Sequence, residues 1–437
     1  VVMSSRFMLV SRRAEDVPPS GVRRMFNFAQ RYTDAINLSV GEPDFKTPPQ
    51  IIEAAVKAMK EGYTHYTPNA GILEFREAVS EKLRRENNID ADPTVEITAT
   101  VGAMGALSLA MLTIINPGDE VLIPSYTFMA TASAVLMVGA IPVVVEVDQT
   151  CTMDPIDLEK KITKNTKCII PVHMVGFPCN MKKIMKIGRK YNLKVLEDCC
   201  QAVGGSFKGK RLGSWGDAGA YSFNYFKIIS CGEGGGLVTD DRTVYEKASI
   251  FHDSGTAFRP YAGEFSIPVF LGLQFRASEI MGAIMNVQLK RLDGILRDLR
   301  KNKRRIMEEL GKIPGINFAP SNDIEGDCGV MIPFRFDDEN VAKKFAEITG
   351  GYRPIDSRKH VWFDWKPIIE KKIWHKPSLN PYNFPENKNL RCTFTKEMYP
   401  KSIENLSKTV FVSVNPDWKT KDIKEKIKEF KKALERI

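Results

Sequence analysis

Residues 193–239 read LKVLEDCCQAVGGSFKGKRLGSWGDAGAYSFNYFKIISCGEGGGLVT, and the fold is decided here. Three apolar runs of strand length stand in it: LKVLED (193–198), GAYSF (219–223) and GGLVT (235–239). Between the last two lies Lys227, five residues after Ser222 and just ahead of the glycines of CGEGGG. Lysines ordinarily stay in water. An amine held among Phe223, Tyr225, Phe226 and Ile228 would be poorly solvated, and desolvation makes it a better nucleophile toward a carbonyl. Taken alone, a lysine that snorkels from an edge strand is the simpler reading.

Upstream, strand-like runs recur at VEITAT (95–100), EVLIP (120–124), IPVVVEV (141–147) and KCIIPVH (167–173). Helical patterns at 103–115, 127–138, 155–163 and 179–190 separate them. Alternation with short turns predicts β-α-β units and a mostly parallel sheet, with ligands at the carboxyl ends of its strands. The fold class is therefore α/β. After residue 275 the texture changes to a long helix over 277–311, a strand GVMIPFRF (329–336) and a helix near 339–348. A Trp/Pro/Asn-rich segment, 360–389, is expected to be a binding loop or an irregular cover. A closing helix from about 420 carries Ile423, Ile427, Phe430, Leu434 and Ile437 on one stripe. The expected organisation is an N-terminal arm (1–36), a large domain (37–275) and a smaller α+β domain (276–437).

A chain of 437 residues is too long for one core. Its 43% hydrophobic and 27% charged residues are ordinary for a soluble protein. No apolar run reaches membrane-spanning length, and the opening VVMSSRFMLVSRR lacks a signal-peptide core. Eight cysteines without a Cys-x-x-Cys pair read as reduced thiols in the cytosol. The histidines (65, 173, 252, 360, 375) show no metal-ligand spacing, so no metal is expected. The net charge of +10 is dispersed over helix faces, which argues against nucleic acid and suits a phosphorylated or carboxylated small substrate.

Asp198 closes LKVLED. As a bland reading it caps a helix. As a functional one it pairs with a protonated ring nitrogen, which pyridoxal phosphate (PLP) needs to act as an electron sink. That cofactor also needs a lysine, a phosphate cradle and a stacking face. TATVGAMGALSLA places Gly102, Ala103 and Met104 between a strand and a helix, where free N–H groups favour an anion. IPSYTFMATAS supplies Tyr126 and Phe128 as aromatic faces. Small residues at a helix start and core aromatics are common, so each signal is weak by itself.

Together they carry a resemblance. The block 124–240, including PSYTFMATA, GAIPVVVEVD, VHMVGFPCNM and the opening stretch, resembles the DegT-like sugar aminotransferases, PLP enzymes of fold type I. The resemblance implies a seven-stranded sheet flanked by helices. It implies that Lys227 forms the Schiff base, Asp198 pairs with the pyridine nitrogen and Gln201 faces the ring-oxygen side. Ser222 would hold the phosphate and Phe128 would stack on the ring. VHMVG, EDCCQA, KIISCGEGG and YPKSIENLSKTVFVSVNPDW most resemble enzymes that aminate a keto-octulosonate to 8-amino-3,8-dideoxy-manno-octulosonate, which implies a part in cell-surface polysaccharide biosynthesis.

Residues 37–125 instead resemble the class I aspartate-type aminotransferases, also of fold type I. That likeness implies Gly41 near the substrate and Tyr66 reaching the phosphate of the neighbouring subunit, with Gly102, Ala103 and Met104 in the phosphate loop in either family. The class I pattern stops there: its Asn-Pro-x-Asn-Pro-Thr-Gly and carboxylate-gripping arginine have no match. The chain reads as a mosaic joined near PGDEVLIPSYTF. A second departure is GLQFRASE, where Gln274 stands for the asparagine that in the sugar family reaches the partner's PLP phosphate.

These resemblances imply a cytoplasmic, homodimeric PLP-dependent aminotransferase. It would move an amino group from glutamate or glutamine to a keto sugar or keto sugar acid with ping-pong kinetics. Amino-acid/2-oxo-acid transamination and a non-catalytic PLP-binding sensor are the alternatives.

Overall fold

The computed structural model describes residues 46–437 apart from 88, 255, 259–262, 374 and 375, with Phe28 in addition. Gly41, His375 and, but for Phe28, the expected arm 1–36 lie outside the described residues.

Helices α1 (Pro49–Lys60) and α2 (Leu73–Asn87) precede the main sheet. The chain continues through β1 (Ile97–Thr100), α3 (Gly102–Ile114), β2 (Glu120–Pro124), α4 (Ala130–Met137), β3 (Ile141–Val145), α5 (Pro155–Lys160), β4 (Thr166–Ile169), α6 (Met181–Lys190) and β5 (Lys194–Asp198). A small hairpin, β6 (Ser206–Phe207) and β7 (Lys210–Arg211), separates these from β8 (Ala218–Ser222) and β9 (Gly235–Val238). The seven strands stand in the order β1-β9-β8-β5-β4-β2-β3. All run one way except β9, which is antiparallel to both β1 and β8. Strands β1, β2 and β3 are buried along their whole length because helices cover both faces, which is why they read as unbroken apolar runs.

The reversal of β9 fixes the site. With β9 returning beside β8, their connection lies at the carboxyl end of β8, on the edge where β1 and β5 also end. Asp198 pairs in register with Ala220, and Ser222 and Thr100 both pair with Gly235.

Helix α7 (Arg242–His252) leads towards the 32-residue α8 (Glu279–Leu310), which bridges two cores. Met281, Met285, Leu289, Leu292 and Leu296 pack under the main sheet, whereas Leu299, Ile306 and Leu310 join a second core. That second core lies on an antiparallel sheet of β10 (Asn317–Phe318), β11 (Met331–Arg335) and β12 (Thr409–Ser413). Helix α9 (Glu339–Thr349) and the closing helix α12 (Thr420–Leu434) cover it, the stripe of α12 burying Ile423 and Phe430 there as expected. Helices α1 and α2 and strand β12 were not anticipated from the pattern.

The irregular segment returns to the main core. After Tyr352 pairs with Phe411, the chain places Val361, Trp362 and Trp365 against Tyr126 and Val144, runs through the short α10 (Lys366–Ile369) and ends in α11 (Pro400–Ser407). Its backbone takes the N–H groups of Thr127 (on His360 O, 2.9 Å) and Met129 (on Lys359 O, 3.0 Å). Those bonds tie 127–129 to the distant segment, and α4 starts at Ala130, with Met129 (φ −52°, ψ −19°) at its N-cap position, and not at the expected 127.

Candidate active site

Helix α3 begins with no side-chain cap: Val101 stands at its N-cap position and its first turn carries no acid. Its leading N–H groups are therefore open to an external acceptor. Gly102 has φ +73°, a backbone that favours glycine, and a Cβ there would meet nothing within 4 Å. Gly235 lies directly against it. A Cβ on Gly235 would come 2.4 Å from the Gly102 carbonyl carbon and 2.7 Å from Thr100 Oγ1. The glycines after Lys227 thus serve close approach at Gly235 and a positive-φ turn at Gly232 (φ +86°). Ala103 is half-buried and Met104 exposed beside this cradle.

Asp198 ends β5 almost fully buried, 4% exposed. A buried carboxylate must be hydrogen-bonded. Its Oδ2 accepts from Thr131 Oγ1 at 3.0 Å and its Oδ1 from the Cys200 N–H at 3.1 Å. Residues 199–205 form turns, so Asp198 closes a local turn and caps no helix. Thr131 is itself positioned by Thr127 Oγ1 at 2.8 Å and by its N–H on Phe128 O at 3.0 Å. One turn of backbone therefore links the expected stacking residue to the expected ring-nitrogen partner. Phe128 is 40% exposed, leaving its ring available. Gln201 turns its Oε1 to the N–H of Val175 at 3.0 Å, a residue at φ +47°.

Ser222 is buried, its Oγ 3.4 Å from the Asn224 N–H. Beyond it the ladder continues as a loop: Phe223 N–H donates to Gly234 O (2.8 Å), Tyr225 N–H to Gly232 O (3.0 Å) and Cys231 N–H to Phe223 O (3.0 Å). Gln288 of α8 anchors this loop by donating to Ser230 O at 2.6 Å. Lys227 sits at its turn, its N–H on Asn224 O. The expectation of a lysine enclosed by four apolar neighbours is corrected here. Only Phe223 is fully buried; Phe226 is 58% exposed and stacks on Tyr225 (centroids 3.9 Å apart), and Lys227 is half-buried. Connecting two antiparallel neighbours demands a turn, so the aromatic run could not continue as a strand.

The positive charge of Lys227 acts on two groups across the site, the Cys200 thiol and the His360 imidazole. Burial and the Asp198 carboxylate push the Cys200 thiol well above its usual range, so it stays protonated and is no nucleophile. Burial, with Lys359 and Lys227 nearby, lowers His360 to about 4, and its ring lies 5.6 Å from that of Phe128.

Tyr66 and Gln274 do not join this group within one chain. Tyr66 is 84% exposed, its ring 5.2 Å from the Arg276 guanidinium. The Gln274 amide, oriented by its hydrogen bonds, donates to Ser254 Oγ at 3.2 Å and presents its oxygen to Arg276, 2.9 Å from the nearer terminal nitrogen. Arg276 in turn pairs with buried Asp253 at 2.8 Å. Two residues expected from two different families to reach a neighbouring subunit thus meet on one guanidinium. Arg276, Thr131 and His360 were missed by sequence reasoning. The only signals were the final arginine of GLQFR and the cover segment's composition.

A second buried cluster, His173, Glu197 and Cys199, brings its ligand-type atoms within 4.8 Å of one another, although histidine spacing gave no sign of one. Two of its three side chains are already hydrogen-bonded. Glu197 accepts from the N–H groups of Gly213, Trp215 and Gly216, and His173 bridges Glu197 and the Cys179 N–H. This is a buried network that fixes the carboxyl end of β5.

Comparisons with known proteins agree with this architecture. The chain is 37% identical over 230 residues to the GDP-perosamine synthase of Escherichia coli O157:H7, covering 52% of this chain and 59% of that protein. It is 39% identical over 199 residues to aromatic-amino-acid aminotransferase 2 of Thermococcus litoralis, covering 44% and 51%. The chain thus spans little more than half the length of these curated relatives. The X-ray structure of the aminotransferase from Psychrobacter cryohalolentis superposes with a TM-score of 0.70 at 23% identity, over 91% of this chain and 99% of that one, and so shares the fold. With residues 54–394 matched by one family model, the lysine, carboxylate and helix start gathered at the sheet edge are those of a chain that belongs to the DegT/DnrJ/EryC1/StrS aminotransferase family.

Proposed function

We propose that the chain is a PLP-dependent aminotransferase that transfers an amino group to a keto sugar or keto sugar acid. The observation that carries the reading is the convergence of Lys227, Asp198, Phe128, Ser222 and the uncapped start of α3 on one edge of the sheet. The residues suit the cofactor. The open space at Gly102 and the free N–H groups of α3, with Ala103, Met104 and Ser222, suit its phosphate. Asp198 suits its ring nitrogen, Phe128 its face, Gln201 its oxygen side and Lys227 its carbonyl.

When bound, PLP supplies the electron-withdrawing ring through which an amino group passes between two substrates. The protein's own work is to bind, orient and move protons. Thr131 and the Cys200 N–H keep Asp198 an oriented acceptor, so its carboxylate holds a proton on the group it faces. Lys227, on a turn and not locked in a strand, has the freedom to take and return a proton at Nζ. Ser222 and the α3 N–H groups hold the anionic end fixed while the substrates exchange.

Two finer readings follow. Tyr66 and Gln274, sharing Arg276, are positioned to act as one unit toward a second subunit, which supports a homodimer with shared sites. The mosaic origin is supported by relatives of both kinds, a sugar-modifying and an amino-acid enzyme, each matching about half the chain.

The test is a half-reaction. The PLP-loaded chain is treated with glutamate or glutamine, freed of donor and offered keto sugars, keto sugar acids and 2-oxo acids. Amination of a keto sugar is expected. Turnover with 2-oxo acids alone would overturn the reading.

A further inference from the structure

The segment that leads from α9 to the main sheet presents three basic-type residues in a row, Arg358, Lys359 and His360. Its course there is fixed from both sides. His360 O and Lys359 O accept the Thr127 and Met129 N–H groups, Val361 pairs with Tyr126, and Trp365 Nε1 donates to Lys359 O at 3.1 Å. Arg358 is held at φ +50°, a conformation that costs a non-glycine residue about 1 kcal/mol and persists where the surroundings over-determine it.

The result is a charged rim on the stacking face. Lys359 Nζ lies 5.7 Å from the centre of the Phe128 ring, and the His360 ring lies 5.6 Å from it. Five residues earlier, Arg353 spends its charge on Asp356 in a bidentate pair at 2.7 and 3.1 Å. Among the described residues, Arg358 and Lys359 have no such carboxylate, and both side chains are exposed. His360, half-buried and neutral at neutral pH, adds no charge, and its ring stands beside that of Phe128. Lys359 beside the ring, with exposed Arg358 next to it in the chain, supplies uncompensated positive charge that favours an anionic ligand.

We propose that Arg358 and Lys359 form the subsite that takes a negatively charged group of the acceptor sugar, a carboxylate or a phosphate, at the edge of the Phe128 ring. The inference rests on the keto-sugar reading above, and its test separates the two.

The full-length, PLP-loaded chain, charged with amino donor, is offered a keto sugar acid, a nucleoside-diphosphate keto sugar and an uncharged keto hexose. The variants are Arg358→Gln/Lys359→Gln and the charge-keeping Arg358→Lys/Lys359→Arg. For the charged acceptor, kcat/KM falls about tenfold or more in the glutamine variant, through KM, and the charge-keeping variant restores most of it. The uncharged acceptor shows no comparable loss. Which charged acceptor is used identifies the source of the anion. Calorimetric binding of the acceptor's reduced analogue, with a hydroxyl for the ketone, weakens by a similar factor of about ten, and more at low salt. Equal losses for charged and uncharged acceptors, or no loss for either, overturn the subsite and leave the keto-sugar reading standing. Failure of the wild-type chain to aminate any keto sugar overturns both.

Discussion

Thr131 Oγ1 donates a hydrogen bond to Asp198 Oδ2 at 3.0 Å, both groups being buried. The bond joins the start of α4 to the end of β5, and so ties the aromatic face of the site to its carboxylate. A hydrogen bond to a charged group contributes roughly 1.5–3 kcal/mol. Thr131→Val keeps the shape and removes the donor. We expect a loss of about 2 kcal/mol in urea unfolding, together with weaker PLP retention on dialysis.

Gly235→Ala tests the cradle. A methyl group there meets backbone of Gly102 at 2.4 Å, and backbone cannot yield as a flexible side chain does. The expected cost is about 1–3 kcal/mol of stability. Because the displaced strand end carries the start of α3, PLP affinity should fall as well. Gly232→Ala, at φ +86° but with open space around it, should cost about 1 kcal/mol and leave the cradle in place.

Most of the fold was legible because parallel strands buried on both faces announce themselves as continuous apolar runs. β2, β3, β5 and the turn glycines were all readable in this way. Lys227 was legible as a residue but not in its setting: nothing local says that β9 runs backwards, and that reversal turns a seemingly buried lysine into one on a loop. Thr131 and His360 were hidden for another reason. Their roles come from contacts across 67 residues of sequence to Asp198 and more than 200 to Phe128, which no local pattern encodes. The boundary of α4 failed likewise, its first turn being claimed by the distant backbone of Lys359 and His360.

Stability should depend on pH through two histidines. Burial lowers His252 and His360 to about 4 in the folded chain. In the unfolded chain both titrate near their ordinary value of about 6.5. Between those values the unfolded state binds more protons, so unfolding free energy rises with pH there and falls on acidification from about 6.5 to 4. The His252 Nε2 has no hydrogen-bond partner among the described residues, which agrees with a neutral ring. Urea midpoints at pH 7 and pH 5 should show the loss, and His360→Gln should reduce it. An unchanged midpoint across this window would contradict the assignment.

Tyr66→Ala separates a role toward a second subunit from one in folding. The side chain is 84% exposed and its contact with Arg276 is a cation–π approach at 5.2 Å, worth about 0.5–1 kcal/mol at such a site. Unfolding should therefore change little. If Tyr66 and Gln274 act together on a neighbouring phosphate, PLP affinity falls in Tyr66→Ala, falls in Gln274→Ala, and falls less than additively in the pair. Unchanged affinity in both single variants would remove the shared-site account.

Whether Lys227 carries the cofactor can be read directly by mass. The full chain is incubated with PLP, reduced with borohydride, digested and mapped. With Lys227 as the Schiff-base lysine, reduction abolishes the visible absorbance band and leaves a reduced pyridoxyl-phosphate group on the peptide containing Lys227, absent in Lys227→Ala. An adduct confined to other lysines, or no adduct at all, would contradict this role of Lys227.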